Sequence, residues 1–257
     1  SQSRFNTILT TQETLLRPTS NHLNSYPERP RGTEYGVLHR LSPMGGALFV
    51  ALAETFAEIS EQRLQELCSL GALYHEGQRV RPEQFEDPVA SQSYFRLHTQ
   101  PRRFPEVPDL RSKIIFEDEA FIVIDKPHGL PTHATVDNRQ ENLLYLLEKE
   151  FGERIYITHR LDVPTAGLMV YAKSTEAQEY FNKQIRSGAV NKSYLAQSVV
   201  PKNLTHLTDS TCLPSGLIRH YMQPSARGNK TVSKNLEAGW QECLLKIKSA
   251  KISQVLN

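Results

Sequence analysis

The sequence predicts an α+β fold, because amphipathic helices and short β-rich runs follow one another with tight turns between them. A helical pattern over 60–70 leads into two short strand patterns on either side of Glu76-Gly77. Two further β-rich runs flank Asp118-Glu119-Ala120, which is typical of a hairpin. Apolar residues at helical spacing over 142–151 then precede another strand pattern. Helices packed on hairpins are the arrangement that such a series favours.

The first half of the chain predicts an extended arm followed by a small α+β module. Residues 1–45 are polar and rich in turn formers, without a hydrophobic period, so they predict an arm. The module covers 46–99. Its helix places Leu64, Leu67 and Cys68 on one face and ends at Gly71, where a left-handed residue is favoured. Strands follow at 72–75 and 78–80.

A basic stretch with three prolines at 100–112 predicts an extended linker, and a second region runs from 113 to 257. We expect this region to contain a hairpin of 114–117 with 121–124, a rigid loop at 126–131, a helix at 142–151 and strands at 168–171 and 192–200. Thr175 with Gln178 three residues later predicts a capping box, which begins a helix that ends at Gly188.

Composition indicates which cellular compartment and which classes of binding partner to expect. The net charge is only +2, but from Leu217 onward seven basic residues stand against two acidic ones. This excess indicates a surface facing a polyanion, and a solvated cationic surface explains it equally well. Three widely spaced cysteines without a CxxC pair favour a reducing, cytoplasmic location, and no apolar run is long enough to span a membrane. His206, Cys212 and His220 fit no common zinc spacing, so no metal is expected.

The stretch 159–170 carries the strongest signal for a functional site. A charged triplet lies there between an apolar segment and a strand, and Pro164 and Gly167 predict a turn. A loop held by flanking strands is a suitable place for a catalytic carboxylate, here Asp162, and the neighbouring Arg160 suits a phosphate. On the residues alone, a surface ion pair between Arg160 and Asp162 is the commoner arrangement.

This stretch and three others resemble the RluA-type RNA pseudouridine synthases. His159-Arg160-Leu161-Asp162, followed by Thr165, Gly167 and Leu168, is similar to the signature of that family. The other resemblances are a strand with a Lys-Pro-x-Gly loop at 121–129, a histidine at His133, a helix at 174–188 and a Lys-x-Tyr-x-Ala strand at 192–196. Their common order makes coincidence a poor explanation.

The resemblance implies a pseudouridine-synthase-like catalytic domain, with a mixed, mostly antiparallel sheet and flanking helices. The module at 46–99 is similar to an S4-type RNA-binding domain, although Ser60-Glu61 stands where a Ser-Arg pair is more usual. The implied reaction isomerises uridine to pseudouridine in structured ribosomal or transfer RNA, without a cofactor or metal. RNA is therefore the expected partner of a monomer, with no DNA and no membrane.

The family pattern also implies the roles of single residues. Asp162 is the essential carboxylate, Tyr194 packs against the target base, and Arg160 contacts the backbone around the extruded nucleotide. His159, Lys126 and Lys192 are expected to contact RNA. The residues themselves leave other roles open: Tyr194 as a core aromatic, His159 as a structural side chain and Lys126 as a surface lysine before a turn.

The chain departs from the family pattern in one respect, and this leaves open whether it is catalytically active. The family has a later Gly-Arg-x-His-Gln-like segment that closes the site, and this segment would lie beyond Asn257. A catalytic domain without its C-terminal part predicts, as the alternative, a non-catalytic RNA-binding or assembly factor with the same fold. An aspartate-dependent hydrolase has little support, because no partnering carboxylate motif accompanies Asp162.

Overall fold

The computed structural model describes residues 36–196, 216–224 and 231–249. Contacts within the chain divide it into two compact units, one up to Asn191 and one from Lys192. The first unit contains the N-terminal module, residues 36–99, and the central domain, residues 100–191. Residues 1–35, most of the predicted arm, lie outside the described residues.

The N-terminal module combines two helices with a four-stranded antiparallel sheet. Its elements are β1 (Val37–Leu41), β2 (Gly46–Ala47), α1 (Leu48–Thr55), α2 (Glu61–Leu70), β3 (Leu73–His75), β4 (Gln78–Arg79), β5 (Pro88–Val89) and β6 (Tyr94–His98). The main sheet has the order β1-β6-β3-β4, and β2 pairs with β5. The module therefore includes Val37–Leu41, which the sequence analysis assigned to the arm.

Local signals in the module are the ones that the sequence predicted. The Ser60 side chain accepts a hydrogen bond from the Arg63 amide at the start of α2, and Gly71 ends the helix with φ of 79°. Glu76 and Gly77 both have positive φ values, 46° and 79°, and join β3 to β4. Two left-handed residues suit a two-residue hairpin turn. The predicted helix and hairpin are confirmed.

The central domain has a four-stranded sheet between two helices. Its elements are β7 (Ile114–Glu117), β8 (Phe121–Lys126), α3 (Leu143–Phe151), β9 (Tyr156–Ile157), β10 (Gly167–Ala172) and α4 (Thr175–Arg186). The sheet order is β7-β8-β10-β9, and all of its strand pairs are antiparallel. The predicted hairpin and α3 are confirmed. The expected mixed sheet is antiparallel throughout the described part of the chain.

The alternation of side chains in β8 and β10 places α3 and α4 on opposite faces of the sheet. Ile122, Ile124, Met169 and Tyr171 are buried with Leu143 and Leu147 of α3. Their neighbours in sequence, Phe121, Val123, Val170 and Ala172, are buried with Phe181 of α4. Because successive residues of a strand point to opposite faces, both faces of these strands are apolar and covered.

The predicted capping box of α4 is wrong by one residue. Ser174 is the capping residue, and its side chain accepts a hydrogen bond from the Ala177 amide. Thr175 is already the first helical residue. Gln178 instead donates from its side-chain amide to the carbonyl of Ile157, 2.7 Å away, and so fixes the helix to β9.

The N-terminal module is joined to the central domain through one loop, residues 133–141, which we name the docking loop. Its carbonyls at Thr135 and Val136 accept from Arg79 and Tyr74, at 2.7 Å each. In the other direction, the Arg139 amide donates to the carbonyl of Leu70 at 2.6 Å. These bonds run in both directions, so the module is part of the same packed unit as the central domain.

The linker is tied to the docking loop by a buried carboxylate. Asp137 is only 2% exposed and accepts from the Arg102 guanidinium at 2.7 Å and from the Arg102 amide at 2.8 Å. Burial opposes ionisation of Asp137, but these hydrogen bonds outweigh it and hold its pKa well below the usual range. The linker therefore packs on the central domain instead of extending into solvent.

The second unit contains a three-stranded antiparallel sheet of β11 (Gly216–Met222), β12 (Val232–Ser233) and β13 (Gln241–Ile247) in the order β12-β11-β13. The strand predicted at 192–200 is absent over 192–196, where the backbone pairs with none of the described strands. Its remainder lies outside the described residues. Across the described ranges, no helix has the length and apolar character that crossing a membrane requires.

Candidate functional site

Asp162 lies on a tight turn in the loop between β9 and β10. The Thr165 amide donates to the Asp162 carbonyl at 3.0 Å, which closes the turn around Val163 and Pro164. The Asp162 side chain is exposed to solvent. A carboxylate at this position is accessible to a large ligand.

The backbone on both sides of Asp162 is held by a second loop, residues 126–132, which we name the support loop. The Thr132 hydroxyl donates to the Leu161 carbonyl at 2.8 Å and accepts from the Leu161 amide at 3.2 Å. The Gly129 amide donates to the Val163 carbonyl at 2.9 Å. The Asp162 turn is thus fixed by hydrogen bonds that do not use the carboxylate itself.

Lys126 is buried beneath the same turn. Its ammonium group donates to the carbonyls of Pro127, Leu130 and Val163, at 3.0, 2.6 and 3.3 Å. Burial lowers the pKa of Lys126 to about 8, and the Asp162 carboxylate acts in the opposite direction. This arrangement differs from the predicted RNA contact, because the side chain is 0% exposed and its three protons are directed at carbonyls. Lys126 instead connects the support loop to the Asp162 turn.

Thr132 is itself fixed from behind by the core. Its carbonyl accepts from the Tyr171 hydroxyl at 3.0 Å and from the Leu144 amide at 3.1 Å. Tyr171 is fully buried, which raises the pKa of its hydroxyl and keeps it a donor. Sequence reasoning missed Thr132, because a threonine in an irregular loop carries no periodic signal.

Arg160 is directed to the docking loop. Its guanidinium lies 3.2 Å from Nε2 of His133, and His133 Nδ1 donates to the carbonyl of Ala134 at 2.8 Å. Because a guanidinium only donates, the Arg160 contact is a hydrogen bond in the tautomer of His133 whose Nε2 accepts. Arg160 is exposed, and its bond to His133 replaces the surface ion pair with Asp162 that the residues alone favoured.

His159 points into the domain. Its Nε2 accepts from the Val170 amide at 3.3 Å, and its ring stacks on Phe181 with centroids 6.2 Å apart. These contacts join the loop to β10 and α4. They favour the structural role over the RNA contact.

Tyr194 and Lys192 belong to the second unit, in the stretch without regular structure. Tyr194 is 63% exposed, which differs from the core aromatic that the strand pattern alone favoured. Lys192 is also exposed. Their roles toward the base and the phosphates stay predictions.

The described part of the chain contains no cluster of metal-binding side chains. Over 36–196, 216–224 and 231–249, no three His, Cys, Asp or Glu residues come together as metal ligands. His206 and Cys212 lie outside these ranges. A fixed, exposed carboxylate, two positions along the chain from an exposed arginine, is suited to react with, or take a proton from, one atom of a bound anionic ligand.

The chain is similar in sequence to curated pseudouridine synthases. The chain is 29% identical over 163 residues to RNA pseudouridine synthase 6, chloroplastic, of Arabidopsis thaliana, which is 62% of the chain and 32% of the relative. It is 37% identical over 152 residues to ribosomal large subunit pseudouridine synthase D of Xylella fastidiosa, 56% of the chain and 45% of the relative. A solved chain of human RNA Pseudouridylate Synthase Domain Containing 4 has 21% identity and a TM-score of 0.32, over 55% of this chain and 50% of that one.

These alignments cover less than half the length of both curated relatives. The family model for RNA pseudouridylate synthase matches residues 120–252, which are 133 of the 257 residues and include β8, the Asp162 turn and β13. The chain therefore belongs to the RNA pseudouridylate synthase family.

Proposed function

We propose that this protein isomerises uridine to pseudouridine within RNA, with Asp162 as the catalytic carboxylate. The observation that carries this proposal is the Asp162 turn, which displays the carboxylate to solvent while Thr132 and Gly129 hold its backbone. The turn also lies within the residues matched by the family.

The reaction conserves atoms and consumes no cofactor. The bond from N1 of uracil to C1′ of ribose breaks, and a bond from C5 to C1′ forms. The proton on C5 leaves to water, and N1 gains a proton. An ionised carboxylate close to C1′ supports either addition or proton removal.

The proposed substrate is ribosomal or transfer RNA. The names of the relatives support this class, since one acts on the large ribosomal subunit and another, of Saccharomyces cerevisiae, is a tRNA pseudouridine(32) synthase with 35% identity over 102 residues, 40% of the chain and 22% of that relative. The glycosidic bond of a stacked nucleotide is poorly accessible. Extrusion of the base, at a cost of a few kcal/mol, would bring C1′ to the exposed carboxylate.

The surrounding residues divide into contacts and supports. Arg160, at the surface, is proposed to contact the RNA backbone, with Lys192 as a further phosphate contact and Tyr194 against the base. Lys126 is proposed to position the turn from below. We keep as proposals the S4-like role of the N-terminal module, a monomeric state and a cytoplasmic location.

Thr132→Val should lower kcat about ten- to a hundredfold with little change in KM, because a small misplacement of a reacting group has an effect of this size. Valine keeps the shape of threonine but loses the hydroxyl that fixes Leu161. Thr132→Ser, which keeps the hydroxyl, should restore most of the rate. Steady-state kinetics on labelled RNA measures both values.

The matched control for Thr132 is Thr55→Val. The Thr55 hydroxyl is also buried and donates to a backbone carbonyl, that of Ala51, but it lies in α1 of the N-terminal module. Thr55→Val should lower the stability of the protein to an extent similar to Thr132→Val and leave kcat unchanged. An equal loss of kcat in both variants would show that Thr132 acts only through stability.

The proposed function is tested with RNA from cells that lack the encoding gene, grown so that uracil carries tritium at C5. Incubation with the full chain should release tritium to water, and the treated RNA should contain new pseudouridine. Binding of this RNA without any tritium release would contradict the enzyme and support the RNA-binding or assembly factor.

A further inference from the structure

The sheet of the N-terminal module has an outer face that the Asp162 site does not use. One row of residues crosses all four strands: His39 lies opposite Arg96, Arg96 opposite Tyr74, and Tyr74 opposite Arg79. The residues next to this row in sequence, among them Leu73, Phe95 and Leu97, are in the module core. The row therefore lies on the opposite face and spans about 14 Å.

The composition of these four strands is cationic. They contain three arginines and three histidines and no aspartate or glutamate. Arg40 is ion-paired with Glu58. Arg79 and Arg96 form no ion pair with any carboxylate of the described chain; Arg79 donates to Tyr74 and to the carbonyls of Thr135 and Val136. The carboxylate of Glu76, in the neighbouring turn, accepts from the Tyr94 amide.

Arg96 lies over an aromatic ring. Its guanidinium lies 4.0 Å from the centroid of the Tyr74 ring, and its buried Nε has no hydrogen-bond partner among the described residues. Arg96 is half-exposed. A guanidinium fixed by stacking, with its charge not neutralised, is the arrangement that favours phosphate and nucleic-acid binding.

Two aromatic rings lie beside Arg96. The rings of His39 and Tyr94 are 5.9 Å apart, and His39 Nδ1 is hydrogen-bonded to the Tyr94 hydroxyl. His39 is exposed and Tyr94 is half-exposed. Aromatic faces next to a cation provide stacking positions for unpaired bases, while the cation binds the backbone.

We propose that this outer face, formed by His39, Tyr94 and Arg96, is a second RNA-binding surface that holds a single-stranded segment of the substrate away from the modified uridine. The identification of RNA as the polyanion rests on the proposed function. The surface is joined to the site by contacts, because Tyr74 and Arg79 bind the docking loop and His133 of that loop binds Arg160. RNA bound at both places is thereby held by one packed unit.

The test measures binding of the full chain to a fluorescent single-stranded RNA of mixed sequence, about 20 nucleotides long, at several salt concentrations. Arg96→Met should weaken binding about tenfold at low salt and reduce the slope of log K against log salt by about 0.7, because one phosphate contact is lost. Tyr94→Leu should weaken binding about fivefold or more and leave the slope unchanged, since stacking releases no counterion.

The matched control is Arg63→Met, which removes the same charge from α2 of the same module. Arg63 is half-exposed and ion-paired with Glu66. Its replacement should change the affinity less than about twofold. Equal losses of RNA affinity in Arg63→Met and Arg96→Met would overturn the proposal, since the change in overall charge would explain both.

Two further results keep the test decisive. If Arg96→Met does not fold, His39→Ala at an exposed position takes its place, and wild-type affinity in that variant overturns the proposal. Wild-type protein that binds this RNA with the predicted losses, but releases no tritium from labelled RNA, supports the surface and contradicts the isomerase alone.

Discussion

Asp162→Asn should reduce tritium release from uracil C5 by at least about a thousandfold, the scale on which removal of an essential catalytic group acts. Asparagine has the shape of aspartate but no negative charge, so it neither adds to a carbon nor accepts a proton. The turn should persist, because its hydrogen bonds come from Thr132, Gly129 and Thr165 and use backbone atoms of the turn. The melting temperature and the affinity for RNA should therefore stay close to those of the wild type.

The control for Asp162→Asn is Glu153→Gln, which makes the same charge change at an exposed position just after α3. Its rate should equal that of the wild type. Tritium release by Asp162→Asn within tenfold of the wild-type rate would assign the chemistry to another group. A large fall in melting temperature would instead identify Asp162 as a structural residue.

Lys126→Met should lower kcat about a hundredfold, because the Asp162 turn loses the donor to the Val163 carbonyl and is displaced. Its stability should depend on pH in a defined way. Near neutral pH, the substitution leaves three carbonyls without their donor, and each loss lowers the free energy of unfolding by about 1 kcal/mol. The substitution also removes a buried charge, which stabilises the folded protein by a similar total amount. The net change in the free energy of unfolding at neutral pH is therefore small.

The pH dependence follows from the pKa of Lys126, which burial lowers from 10.5 to about 8. Between these values the unfolded chain binds more protons at this residue than the folded protein does. The free energy of unfolding of the wild type therefore rises with pH across this window, on the order of 3 kcal/mol in total, and the contribution is constant below it. Lys126→Met lacks this rise, so it should be the less stable protein at high pH.

Urea unfolding at about pH 7.5 and about pH 10 measures the difference in the free energy of unfolding between the wild type and Lys126→Met. The control variant is Lys149→Met. Lys149 is exposed near the end of α3, so its replacement should leave the difference from wild type nearly independent of pH. A pH-independent difference for Lys126→Met as well would mean that the buried ammonium keeps an ordinary pKa.

Elements with local signals could be predicted from the sequence. Ser60 with Gly71 and Asn142 with Gly152 are end signals that act within a few residues, and the structure places them at the ends of α2 and α3. β1 could not be predicted in this way. Its five residues have too few positions for a clear period, and they pair with β6, more than fifty residues later in the chain.

The candidate site was predicted in part. The motif led to Asp162 and Arg160, both of which lie at the surface of the described structure. It did not distinguish them from Lys126 and His159, whose side chains point inward. The direction of a side chain depends on the packing around it, and here that packing comes from the support loop, β10 and α4. Thr132 acts on a residue 29 positions away, so no local pattern marks it.

The docking loop also changes where this chain can be divided. Removal of residues 36–99 would leave the carbonyls of Thr135 and Val136 without the donors Arg79 and Tyr74, and would expose the docking loop to water. We therefore expect that position 100, which composition suggests as a domain boundary, does not separate two independently folding parts. We expect the residues from 36 to 191 to unfold as one cooperative unit, because they belong to one compact unit, so that their stability is a single quantity shared by both parts.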